Sequence, residues 1–221
     1  MAIPKYIFQT FKTKKLPLIT RYHIWRIKKL NPDYIYYLYD DEDIVQFLKE
    51  AFPIRYLNAY NRLTIGAAKA DFFRYAIIYK KGGVYLDIDS GISKPLHELI
   101  QANDTVILSR ERHPQFFVQW AIISEKGHPF LKKTLELIVD NIENHRFPHD
   151  VHQTTGPTAY TKAINECINE EPDVSYRIFN GIEFRGFLKF KYKLGKFFLY
   201  TNRVEHWKKK QLIVDIVSTE Q

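Results

Sequence analysis

The segment AKADFFRYAIIYKKGGVYLDIDSGI, Ala68 to Ile92, carries the pattern from which the rest of the chain can be read. Apolar residues at Ile65, Ala68, Phe72, Tyr75, Ala76 and Tyr79 recur at three and four residues, so the spacing predicts a long helix from about Thr64 to Lys81. Gly82-Gly83 supplies the left-handed exit such a helix commonly uses. Val84 to Asp87 then reads as a strand with a sharp acidic end, where Asp87 and Asp89 bracket one residue at the rim of a sheet. Two carboxylates that close repel, and each has a raised pKa unless a cation or donor compensates. A hard divalent ion with oxygen ligands, Mn²⁺ or Mg²⁺, is the natural partner. Asp71 and Arg74 lie three apart on the preceding helix and project from one face. They read equally as a helix ion pair or as two groups that reach one ligand.

Outward from this segment, strand and helix patterns alternate. Ile3 to Phe11 reads as a buried strand and Leu18 to Leu30 as a helix closed by Asn31-Pro32. Tyr34 to Tyr39 reads as a strand packed through aromatic residues on both faces, and the acids of DDED at 40 to 43 suit the first turn of another helix. Thr105 to Ser109 and Phe116 to Ser124 are further expected strands. Pro129 to Asn144 and Thr158 to Asn169, the latter after TTGP, are expected helices. Trp25 is expected in the core, Trp120 in the core or facing a sugar, and Cys167 as a buried inert thiol. The alternation predicts an α/β domain with a mixed central sheet flanked by helices, ligands at the carboxyl ends of the strands, and residues 1–221 as one domain.

Composition narrows the class. With 221 residues, 45% of them apolar and 26% charged, the chain can bury a core. One cysteine excludes an internal disulfide and a thiolate metal cluster, so any metal must use oxygen or histidine ligands. No apolar run approaches the roughly 20 residues of a membrane span and the N-terminus lacks a secretory pattern, which sets the expectation of a cytoplasmic protein. The net charge is +8, and nine Lys or Arg against one acid lie between Arg185 and Lys210, interleaved with aromatic residues. That segment reads either as a strand pair with solvated lysines or as a cationic surface for a phosphate-rich ligand, a membrane or nucleic acid.

The motifs taken together resemble the DXD-containing glycosyltransferases, the family of fungal initiating mannosyltransferases, capsular-polysaccharide sugar transferases and clostridial glucosylating toxins. The resemblance rests on IPKYIFQTFKT, NPDYIYYLYDDED, ADxxRY, GGVYLDxD, GHPF and TTGP in order, from Ile3 to about Tyr160. It implies a GT-A fold, in which Asp87 and Asp89 hold a divalent metal on the diphosphate of a nucleotide sugar, UDP-linked by preference. Asp71, Arg74 and Tyr85 would then bind the donor, and Thr10 and Phe11 would line the base pocket. Phe11 stands where the family usually has Trp, and Phe8 where it has His. Near the C-terminus Glu205 and His206 are the candidates to complete the metal shell, ahead of Trp207.

The implied activity is transfer of a sugar to a glycan or glycoprotein acceptor by a monomer that needs no nucleic-acid partner. An inverting reaction also needs a base on the acceptor side, for which Asp150 is the candidate and His149 and His152 its neighbours. A retaining reaction needs none. Relatives in the Golgi carry an anchor, so the expected source is a bacterial or viral cytosolic enzyme or an excised catalytic domain. Two other classes compete with the transferase: a basic nucleic-acid-binding module built on Arg185 to Lys210, and a metal-dependent phosphohydrolase in which the acids activate water.

Overall fold

The computed structural model describes residues 2–192 and 207–218. Three strands and four helices lead to the acidic turn at Asp87–Ser90 and β4 (Gly91–Ile92) leaves it: β1 (Tyr6–Thr10), α1 (Leu18–Leu30), β2 (Ile35–Tyr39), α2 (Asp41–Ala51), α3 (Ile54–Arg62), α4 (Gly66–Lys81) and β3 (Gly83–Leu86) come before it. There follow α5 (Leu96–Leu99), β5 (Val106–Ser109), β6 (Ala121–Ser124), α6 (Pro129–Glu143), α7 (Val151–Thr154), α8 (Pro157–Glu170), β7 (Arg177–Phe179), β8 (Leu188–Lys189) and α9 (Trp207–Lys210). Among the described residues the main sheet runs β2-β1-β3-β6-β5-β7, and β4 pairs with β8 apart from it.

The sheet is mixed, as expected. β1 is parallel to both β2 and β3, β6 is antiparallel to β3 and β5, and β7 is parallel to β5. Because β1 and β3 are parallel neighbours, their carboxyl ends emerge side by side, and this brings Thr10 and Phe11 to the same rim as Asp87. Side chains alternate between two cores. Phe8, Tyr85, Leu108 and Ile122 join the face covered by α2, α3, α4, α6 and α8, while Ile7, Val84, Leu86, Ile107 and Ile123 join the face covered by α1 and α5.

The central helix α4 is buried all round rather than along one stripe: Asp71 to Ile78 is an unbroken buried run. Its aromatic residues anchor the core, since full burial of a side chain such as Phe72 is worth roughly 1.5–3 kcal/mol. The exit is set by Gly82 and Gly83, both at positive φ; a Cβ on Gly83 would stand 2.7 Å from the Tyr6 carbonyl oxygen, so only glycine lets β1 and β3 approach here. The acids of DDED do open α2, with Asp40 and Asp43 closing a reciprocal capping box.

Several expectations are corrected. Trp25 is 52% exposed, because α1 turns Thr20 and Ile27 inward and leaves Leu18, Tyr22 and Trp25 outward. β2 is the edge of the sheet, so Ile35 and Tyr37 meet solvent on a strand expected to be buried on both faces. The strand expected over Phe116 to Ser124 is confined to Ala121–Ser124, and Phe117 makes only an isolated bridge to Arg110. Trp120 lies in the core at 3% exposure, edge-on to Phe184, and does not face a sugar. Most of the basic–aromatic stretch, residues 193–206, lies outside the described residues, and with it the strand-pair reading. Its described part holds a helical turn at Phe184–Gly186, β8, which pairs with β4, and, after the undescribed residues, α9. Cys167 is buried and free, as expected.

Candidate active site

β3 ends where its backbone turns back on itself. The Asp87 carbonyl accepts from Ser90 N at 2.9 Å, Ser90 Oγ at 2.7 Å and Gln9 Nε2 at 2.9 Å, and Tyr36 in turn donates its hydroxyl to Gln9. Three bonds on one carbonyl fix the Asp87–Ser90 turn and so the spacing of its two acids. This support was absent from the sequence reading. The only signal for it was Gln9 standing beside Thr10 in the first-strand motif.

Around the turn lies a buried charge cluster. The Arg74 guanidinium is 3.2 Å from Asp71 Oδ1 and 2.9 Å from Asp87 Oδ1, and it also donates to the Gln119 carbonyl at 3.2 Å. Its Nε is buried with no hydrogen-bond partner among the described residues. Asp71 accepts a further bond from Thr155 Oγ1 at 3.0 Å, so the TTGP loop closes directly onto α4. A Cβ on Gly156 would stand 2.8 Å from the His152 Cα, which explains the glycine in that loop. Tyr85 donates to Asp87 Oδ1 at 3.1 Å beneath the guanidinium, and Tyr75 is hydrogen-bonded to Gln119. The ion pair of Asp71 and Arg74 is present, and Asp87 is its third member.

Electrostatics follow from burial. Desolvation pushes the Asp71 carboxyl up to about 7 despite Arg74, with Asp87 adding to the rise. Desolvation and the neighbouring Asp87 push Asp89 up to about 6, and Lys191, 3.7 Å away, only partly offsets them. Burial likewise raises Asp87 against the pull of Arg74. Arg74 itself is held charged: burial disfavours its charge, but Asp87, Tyr85 and Asp71 outweigh it.

Among the described residues no group of three His, Cys, Asp or Glu is gathered closely enough to form a metal site alone. The donor chemistry nevertheless fits a divalent ion that shares its shell with substrate. Asp87 takes both of its side-chain bonds on Oδ1, and Asp89 is 5% exposed beside one lysine. Two hard carboxylates with raised pKa values suit Mg²⁺ or Mn²⁺, which keep positions for phosphate and water. Glu205 and His206, the sequence candidates for further ligands, lie outside the described residues, as does most of the basic stretch before Trp207.

The remaining candidates are placed as follows. Phe11 packs beside Ile88, the middle residue of the acidic triplet, whereas the Thr10 hydroxyl is turned to the Tyr39 carbonyl at 3.0 Å. Asp150 caps α7 and receives both the backbone and the side-chain amide of Gln153. It stands on the wall of a cleft of about 580 Å³ that is also lined by His149, His152, Thr158 and Trp207. The Trp207 ring lies 5.5 Å from that of His152, and Gln211 binds the Val151 amide at 3.0 Å, so the C-terminal segment helps to build this cleft.

A mixed sheet with paired acids at one strand end, next to a parallel strand end and a buried arginine, makes this an α/β domain of the glycosyltransferase type. Residues 19–107 match the glycosyltransferase sugar-binding region containing the DXD motif, so over this part the chain is similar to the DXD-containing glycosyltransferases. The chain is 34% identical to inositol phosphoceramide mannosyltransferase 3 of Schizosaccharomyces pombe over 71% of its own length and 43% of the relative's. It is 28% identical to the initiation-specific alpha-1,6-mannosyltransferase of Candida albicans, over 81% and 60% of the two. It thus spans about half the length of these curated relatives. The solved structure of the PaToxG glycosyltransferase superposes with a TM-score of 0.61 over 77% of this chain and 70% of that one, at 22% identity, and so shares the fold.

Proposed function

We propose that this protein transfers a hexosyl group, mannosyl by the names of its relatives, from a nucleoside diphosphate sugar to a hydroxyl of a glycan or glycoconjugate. One observation carries the reading: Asp87, Asp89, Arg74 and Asp71 converge at the carboxyl end of β3, alongside the end of β1. Cleaving the bond between anomeric carbon and phosphate oxygen leaves negative charge on the diphosphate. A Mn²⁺ or Mg²⁺ ion on Asp87 and Asp89 would supply Lewis acidity toward that charge. Lys191, 3.7 Å from Asp89, adds a cation on the same side. Asp71, held between Arg74 and Thr155, would accept from a donor-sugar hydroxyl, and Phe11, packed against the cluster of Ile88 and Tyr192, would offer an aromatic face to the base. Asp150, on the wall of the neighbouring cleft, is the acceptor-side base of an inverting reaction. In a retaining one its role is the capping of α7 alone.

The test is calorimetric titration of UDP and of GDP, each with and without Mn²⁺, on the wild type and on Asp89→Ala. The expected result is binding of one nucleotide that requires both the metal and Asp89, and it selects the donor series for a transfer assay. Absence of nucleotide binding to a folded wild type overturns the transferase reading in favour of the basic-module alternative. Nucleotide-sugar cleavage that no sugar acceptor diverts overturns it in favour of a phosphohydrolase.

A further inference from the structure

Helix α1 buries Thr20 and Ile27 and packs Ile19, Ile24 and Leu30 inward, yet it carries a second apolar stripe. Leu18, Tyr22 and Trp25 fall at i, i+4 and i+7 on one face, and that face points outward: the three are 79%, 52% and 52% exposed. The Tyr22 and Trp25 rings stack at 5.8 Å, and Lys29, one more turn along, sits 5.0 Å over the indole. At 100° per residue, Arg21 and Lys28 flank the stripe on one side and Arg26 on the other, and the helix carries no acid. An outward Leu-Tyr-Trp stripe between two cationic margins is the pattern of a helix lying in a membrane interface.

A pocket opens on the Arg26 margin. His23, Arg26, Ser93, Lys189 and Tyr192 surround a volume of about 110 Å³, floored by Gly91 and Ile92 of β4, which is the size of one phosphate group rather than of a sugar. The His23 ring lies flat on Tyr192 at 3.8 Å, and the Tyr192 hydroxyl bonds Thr20, so the wall is rigid. Burial, Arg26 and Lys189 all depress His23, which records the positive potential inside. The ion pair nearest the acidic turn uses Lys191, which leaves Arg26 and Lys189 directed to this pocket. The Tyr192 amide bonds the Asp89 carbonyl at 3.0 Å, which ties one wall of the pocket to the acidic turn.

We propose that α1 docks this protein onto an anionic phospholipid surface, with Leu18, Tyr22 and Trp25 in the interface and one lipid phosphate seated among His23, Arg26, Ser93 and Lys189. Two features of the helix favour a bilayer over nucleic acid or a second copy of the chain. An aliphatic residue as exposed as Leu18 gains nothing from phosphates or bases, and an acid-free cationic helix repels its own copy. Docking would hold the carboxyl ends of β1 and β3 close to acceptors carried by lipid. The proposal goes beyond the catalytic reading and does not depend on it, because it is measured without turnover.

The experiment is vesicle flotation and tryptophan fluorescence on the full chain, with phosphatidylcholine vesicles and with vesicles containing about 30 mol% phosphatidylserine at about 0.15 M salt. The expected result is selective binding to the anionic vesicles with a blue shift that Trp25→Phe removes. Tyr22→Ser/Trp25→Ser and, separately, Arg26→Glu/Lys189→Glu should each weaken binding by about tenfold or more. All of these side chains are exposed, so an unchanged melting temperature and unchanged nucleotide binding in the double variants report intact folding and an intact donor site. Equal binding of wild type and both double variants overturns the proposal. So does indifference to phosphatidylserine, an oligonucleotide that displaces the vesicles, or a dimer that Tyr22→Ser/Trp25→Ser dissolves. If inorganic phosphate at millimolar level binds the pocket while vesicles do not, the site is a free-anion site and the docking proposal fails.

Discussion

Asp89 is the residue with the most to reveal about the acidic turn, because burial and the neighbouring Asp87 disfavour its charge while Lys191 and a backbone hydrogen bond offset that cost only in part. Its carboxyl titrates near 6 in the fold and near the ordinary 3.8 when unfolded, so the native state holds the proton more tightly. Its contribution to stability is therefore full below about pH 4 and is lost as pH rises toward 6 and beyond. Asp89→Asn should stabilise the ligand-free protein at pH 8 by about 2 kcal/mol in urea titration, and should abolish metal-dependent nucleotide binding. A variant no more stable than wild type at pH 8 would show that the carboxylate is better compensated than Lys191 accounts for. Arg74 behaves oppositely. Arg74→Ala strips the shared cation from Asp71 and Asp87 and should cost about 3–5 kcal/mol of unfolding free energy at pH 8. The four residues of this cluster were legible because strand-end acids and an i, i+3 pair are local patterns. Gln9 was not, since its bond to the Asp87 carbonyl crosses 78 residues and exists only once β1 lies beside β3.

At the scale of elements, the helices α1, α4, α6 and α8 and the strands β1, β2 and β5 were readable within a few residues, because each carries its own period and its own Pro, Gly or acidic boundary. Orientation was not readable. α1 buries Ile27 but leaves Leu18, Tyr22 and Trp25 to solvent, and the aromatic alternation of β2 lies on a sheet edge, because neighbours distant in sequence decide which face is covered. α3 has no counterpart among the expectations, although Pro53 at its start and the buried Leu57 and Tyr60 mark it. The junction from α4 to β3 yields the sharpest test. Gly83 has φ +103° and no room for a Cβ beside Tyr6, so Gly83→Ala should destabilise the fold by roughly 1–3 kcal/mol and shift the denaturation midpoint accordingly. A Gly66→Ala control, where a Cβ meets nothing within 4 Å, should be neutral or mildly stabilising in the same titration.

The whole molecule couples these parts through charge. Asp71, Asp87 and Asp89 all have raised pKa values through burial, so the ligand-free fold is least at ease with its site at high pH. A nucleoside diphosphate with Mn²⁺ should reverse that, because cation and diphosphate bind the ionised acids and nearby lysine only in the native state. At a hundredfold excess over the dissociation constant the added stability is about 2.7 kcal/mol, which for a chain of this length is a rise of roughly 5–10 °C in melting temperature. The direction of its pH dependence follows from the acids. Protonated carboxyls must lose their protons to bind the ion, so the rise should be largest near pH 7.5, above the values for Asp71 and Asp89, and should shrink by pH 5.5. Differential scanning fluorimetry across that range, on wild type and Asp89→Asn, checks it. A shift that is constant with pH, or that persists in Asp89→Asn, would place the nucleotide on the cationic surface rather than on the acidic turn.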